Sequence, residues 1–210
     1  MDMRKAYVNS APLAGRRKFI TVSAGFILLF AALYFFDDTG LLAAFVPAVL
    51  AHEAGHALAL TLKGAKITGL YFSLSGIRMD YRGRMDFGGE LLAAVTGPLF
   101  GLVFAFAASF AGRKLGSNFL LCSAGVSLVL TLFNLLPAKP LDGGRILSLI
   151  LSRLFGYMTA ETVLFLTTIL TSVCLMLAGL WFFYRGYGMA LIPVGLWLFW
   201  HALTEYSSDT

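Results

Sequence analysis

The chain has 210 residues, 59% of them hydrophobic and only 13% charged, with a net charge of +5 and a mean hydropathy of +0.81. A soluble domain needs a mixed, charged surface, which this composition excludes; the solvent it fits is a lipid bilayer. The length allows one membrane domain of about six spans at roughly 20 apolar residues each, and the positive charge reads as a topology signal with affinity for anionic lipid headgroups, so nucleic-acid binding need not be invoked.

Apolar blocks at 19–36, 41–62, 91–111, 119–137, 162–183 and 187–203 predict an all-α polytopic membrane protein of about six transmembrane helices. The first block follows Arg16, Arg17 and Lys18 and precedes Asp37 and Asp38 without a small-residue cleavage site, so it reads as an uncleaved anchor. With a cytoplasmic N-terminus, the inner loops hold Arg4, Lys5, Arg16, Arg17, Lys18, Lys63, Lys66, Arg78, Arg82, Arg84, Lys139, Arg145 and Arg153, which is 13 of the 16 basic residues. Only Arg113, Lys114 and Arg185 remain outside, an asymmetry that puts both termini of a multi-pass cell-membrane protein in the cytoplasm.

Between the second and third blocks, residues 67–85 alternate apolar and polar positions around Ser75 and Gly76, which predicts a short β-hairpin. Lipid does not tolerate open sheet edges, so the hairpin belongs at the cytoplasmic interface or tucked into the protein. There a free edge, with Ser73 as an edge position, would capture an unwound substrate by adding a strand; a plain interfacial loop is the alternative. Cys122 and Cys174 stand singly and read as small hydrophobes. No repeat or linker divides the chain, so 1–210 reads as a single membrane-embedded domain.

The second block contains AHEAGHALAL, residues 51–60. His52 and His56, four residues apart on a helix, project from one face and can share one metal ion. Glu53 beside them is placed to take a proton from an activated water, and the His pair supplies two of the three protein ligands of a catalytic zinc. An accidental HExxH in such a composition arises on the order of once in a thousand chains, and ionisable groups inside a membrane segment are functional by default. The third ligand is not HExxHxxGxxH-like, because Ala59 and Leu62 stand at the later positions. Glu90 and Asp142 compete. Asp142, in NLLPAKPLDGGR at the inner end of the fourth span, is favoured, because that end reaches a depth similar to His52 and His56. Pro137 and Pro140 restrict the helix there, and Gly143 and Gly144 permit an open turn. Glu90 fits the start of the third helix, where its charge favours the dipole. His201, beside Trp197 and Trp200, is accounted for by interfacial placement.

HEAGH in one span, with Asn134, Pro137 and Asp142 in a PxxPLDGG context two spans later, resembles the site-2 proteases, intramembrane zinc metalloproteases. The resemblance is strongest over 41–155, and VTGPLFG at 95–101 resembles the family's third-span motif. The chain looks most like the small bacterial members related to the sporulation protease that processes a precursor sigma factor, but neither a PDZ insertion nor a CBS domain is seen. The resemblance implies one Zn2+ per chain, held by His52, His56 and Asp142, with Glu53 as catalytic base and then acid, and with Asn134 supporting the substrate backbone or the oxyanion. It implies cleavage of membrane or membrane-associated proteins in or near their spanning segments, from an active site toward the cytoplasmic side. The resemblance extends to such substrates as a transcription-factor precursor or an anti-sigma factor and to a regulatory membrane partner; no nucleic acid is expected. Two other classes are a catalytically silent binder of transmembrane partners, which would not need Glu53, and a zinc-dependent transporter, for which no inverted pair of broken helices is seen.

Overall fold

The computed structural model describes residues 19–35, 37, 40–73 and 76–209. The basic residues at 4–18 and Asp38 lie outside the described residues. In chain order the elements are β1 (Ile20–Val22), α1 (Ala24–Phe35), α2 (Leu41–Leu62), β2 (Lys66–Ser73), β3 (Gly76–Arg82), α3 (Phe87–Leu115), α4 (Asn118–Asn134), α5 (Asp142–Phe155), α6 (Tyr157–Tyr184) and α7 (Leu191–Asp209). Among the described residues, α2, α3 and α6 are long and apolar enough to cross a membrane by length and composition, and α4 and α7 contain shorter apolar helices. The helical polytopic architecture and the hairpin between the second and third apolar blocks are as the sequence predicts.

Three features differ from the sequence reading. The first apolar block is not one helix. Ile20–Val22, two of its three residues β-branched aliphatics and the third a threonine, form β1, and α1 has 12 residues. That is about 18 Å of helix, short of the roughly 30 Å hydrocarbon core. The hairpin is therefore part of a three-stranded sheet in the order β1-β2-β3, with β1 parallel to β2 and β2 antiparallel to β3. Because β2 is the central strand, Ser73 is not on an edge strand; the edges belong to β1 and β3. Leu70 donates to the Phe19 carbonyl and Ser23 to the Phe72 carbonyl, so Leu70 and Phe72 face β1. Their partners Met79 and Ile77 then form non-hydrogen-bonded pairs with β2 and turn their main-chain groups outward. The third difference is α5, a 14-residue amphipathic helix that starts where the sequence reading places an open turn.

Helix ends follow local chemistry. Asp86 caps α3 by accepting from the Gly89 amide at 2.8 Å, Glu90 lies in the first turn, and Arg113 and Lys114 occupy the last. Gly116, at φ 63°, closes that helix in the left-handed conformation. Ser117 caps α4, which ends at Asn134 after 17 residues, about 26 Å. The chain thus leaves the helix before a bilayer is crossed, and the irregular stretch 135–141 has to be satisfied by protein. Ala138 and Leu141 pack against Leu198 and Trp197 of α7 and Leu175 of α6. The Lys139 amide donates to the buried Thr168 hydroxyl at 3.1 Å, and the Lys139 ammonium pairs with Glu161 of α6. Helices α6 and α7 thus brace the loop that delivers Asp142.

Candidate metal centre

The middle of α2 meets α3 at unusually close range. A Cβ on Gly55 would overlap the Thr96 carbonyl, and a Cβ on Gly97 would fall on the His56 imidazole. Glycine at these positions lets the two backbones approach until His56 fits into the dent above Gly97. There the His56 ring reaches the Ala93 carbonyl, with Nδ1 to oxygen at 2.7 Å. A carbonyl only accepts, so Nδ1 carries the proton, and in the neutral ring Nε2 presents a lone pair.

Asp142 arrives at the same point from the first turn of α5. The tight return from the 135–141 loop requires Gly143 and Gly144: a Cβ on either would strike the carbonyl of Leu135 or of Ala138. These glycines are helical and serve close packing, where the sequence reading has them permitting an open turn. The outcome is a triangle of donor atoms. His52 Nε2 lies 3.0 Å from Asp142 Oδ2, His56 Nε2 lies 3.3 Å from the same oxygen, and the two Nε2 atoms are 3.1 Å apart. Ligands on a tetrahedral zinc with bonds of about 2.0–2.1 Å are separated by about 3.3 Å. The two imidazole nitrogens and the carboxylate oxygen converge at nearly this spacing, so the donor set fits zinc. His52 is buried, and only small fractions of the His56 and Asp142 side chains, 14% and 16%, are exposed.

Glu53 is half-buried on the adjacent α2 position, and its side chain makes no hydrogen bond or ion pair among the described residues, which leaves its carboxylate available beside the triangle. Glu90 is in the first turn of α3 and outside the cluster; His201 is stacked edge-on against Trp197, with ring centroids 6.0 Å apart, and is also outside it. Asn134 donates its amide to the Leu130 carbonyl of its own helix at 3.1 Å. Sequence reasoning missed Gly55, Gly97, Gly101 and Ala93, whose contributions are absent bulk and a main-chain carbonyl; the only signal was the small-residue run VTGPLFG.

The model of peptidase family M50 matches residues 95–178, and a solved site-2 protease from Methanocaldococcus jannaschii superposes with a TM-score of 0.66 over 89% of both chains at 26% identity. The chain is similar to peptidase family M50 and to the site-2 proteases. A zinc metalloprotease of Methanocaldococcus jannaschii is 35% identical over 125 residues, 57% of this chain and 36% of that protein. A Synechocystis relative is 29% identical over 114 residues, 51% of this chain and 30% of its own length. The chain thus spans about a third of the length of these curated relatives. Both curated relatives carry zinc metalloprotease in their names, and here the His52, His56 and Asp142 donors meet the geometric demand of that metal.

Proposed function

We propose that the chain is an intramembrane zinc metalloendopeptidase that cuts membrane or membrane-tethered proteins in or near their spanning segments. The observation that carries this reading is the donor triangle with Glu53 beside it, set in the middle of a helix apolar enough to span a bilayer. His52, His56 and Asp142 hold the metal, one per chain. A zinc ion held there would supply Lewis acidity and water activation. Glu53 accepts the proton of the attacking water and returns it to the leaving amine, a role that an unpaired, half-buried carboxylate can fill. Asn134, the last residue of α4 before the 135–141 loop, supports the substrate backbone or the oxyanion. The outward main-chain groups of Ile77 and Met79 on β3 hold an unwound substrate by strand addition, since a helical substrate hides its peptide bonds.

The distribution of basic residues supports cytoplasmic termini and an active site toward the cytoplasmic side. The catalytic unit is the 41–155 core braced by α6 and α7. A membrane-associated transcription-factor precursor or an anti-sigma factor fits the substrate class, and a regulatory membrane partner fits the exposed apolar flanks. Co-expression of the chain and its Glu53→Gln form with a panel of single-span and membrane-tethered proteins tests the reading. Fragments are expected only with the parent enzyme, and equal zinc in both. Cleavage of the same proteins by the Glu53→Gln form at the parent rate would remove Glu53 from the mechanism and the activity from this site.

A further inference from the structure

The two histidines of the centre differ in one respect. His56 donates its outer ring N–H to the Ala93 carbonyl at 2.7 Å, whereas His52 Nδ1, buried to the same chemistry, has no hydrogen-bond partner among the described residues. A metal-ligating imidazole normally gives that N–H to an acceptor, which fixes its tautomer and raises its basicity. A second orphan lies across from it. Thr131 on α4 is fully buried, and its hydroxyl has no partner among the described residues either.

Several helical Ser and Thr side chains bond back to the carbonyl one turn earlier: Thr61 to Ala57, Thr96 to Leu92, Thr168 to Leu164 and Ser172 to Thr168, while Ser127 on α4 donates across to the Gly101 carbonyl. Thr131 does neither. Its hydroxyl points away from α4 into the space that a side chain at Gly101 would fill, and His52 Nδ1 is 3.7 Å from the same point. The oxygen and the nitrogen are therefore no more than about 6 Å apart, a gap that one water with two hydrogen bonds spans, or that a χ1 rotation of Thr131 shortens.

Resting on the zinc reading above, we infer that Thr131 is the positioning residue for His52: its hydroxyl accepts the Nδ1–H, directly or through one water, and so orients the imidazole toward the metal. Gly101 is the opening through which they meet.

The test compares the parent chain with Thr131→Val, Thr131→Ser and Ser123→Ala, each loaded with zinc and titrated with a chelator, and each then loaded with cobalt for its visible spectrum. Ser123 is equally buried and equally orphaned but sits two turns away on the same helix. Thr131→Val keeps the volume and is expected to retain zinc 10–100-fold less tightly and to alter the cobalt spectrum, while Thr131→Ser and Ser123→Ala match the parent. Parent-like zinc retention and an unchanged cobalt spectrum in folded Thr131→Val would overturn the role of Thr131 alone. Failure of the parent chain itself to bind zinc would instead overturn the metal reading on which the inference rests.

Discussion

Gly97→Ala is the substitution that asks most directly whether α2 and α3 are packed to make room for a metal ligand. The added Cβ would overlap Nε2 and Cε1 of His56 and lie 2.7 Å from its Cδ2, against about 3.5–4.0 Å for an ordinary carbon contact. The imidazole cannot withdraw without lengthening its 2.7 Å bond to the Ala93 carbonyl, and α3 cannot retreat without opening the contact at Gly55. Relief therefore requires a displacement of about 1 Å at a metal-binding nitrogen. Overpacking of this kind costs about 1–3 kcal/mol, and misplacement of a reacting group by about 1 Å costs on the order of 100-fold in rate. The expected result is reduced zinc per chain and a comparable loss of cleavage, read by metal analysis, chelator titration and a fragment assay on the same preparations. Gly125→Ala is the control: its Cβ would meet nothing within 4 Å, so zinc and activity stay as in the parent. If Gly97→Ala holds one zinc as tightly as the parent and cuts as fast, the dent above Gly97 does not shape the site.

Asp142→Asn is expected to lose most of its zinc and at least 100-fold in activity, whereas Glu90→Gln keeps both; metal analysis of the two purified variants decides, and zinc loss in Glu90→Gln alone would reverse the ligand assignment. Proline at Ile77 removes an outward donor of the β3 edge without breaking a bond to β2, so cleavage of membrane substrates should fall several-fold with zinc unchanged, while Ile77→Val is mild. A stably folded Ile77→Pro protein that cuts at the normal rate would exclude strand addition at that edge. For topology, single cysteines at Leu115 and at Gly64 or Arg84, in a background with Cys122 and Cys174 replaced by alanine, should label from the outside and the inside respectively; the opposite pattern would invert the membrane orientation and the side of product release.

Several parts of the centre were legible in the linear chain because their chemistry is local. His52 and His56 share a face through helical spacing alone, and Glu53 follows from adjacency. The hairpin shows itself by two-residue alternation from Ile67 to Tyr81. Other parts were not legible. The Ile20–Val22 segment reads as the start of an apolar helix, and only the exposed donors and acceptors of β2 make it a strand; that partner is about fifty residues away. Helix α5 carries an amphipathic pattern of its own, with Arg145, Ser148 and Ser152 among Ile146, Leu147, Ile150 and Leu151, but the prolines and glycines before it read as a loop throughout.

By itself, the sequence determined the solvent, from composition; the long spans α2, α3 and α6, from runs of apolar residues; and the donor chemistry, from the identity of four ionisable side chains. The sequence also favoured Asp142 over Glu90, but the tertiary structure alone decided that Gly97 and Gly101 hold open the spaces that His56 and Thr131 occupy, and that β3 rather than β2 is an edge strand. The division follows from how each property arises. Periodicity and residue type are carried by neighbouring positions, whereas a metal triangle closes over 90 residues of chain and depends on side chains that are absent, whose effect exists only once two helices touch.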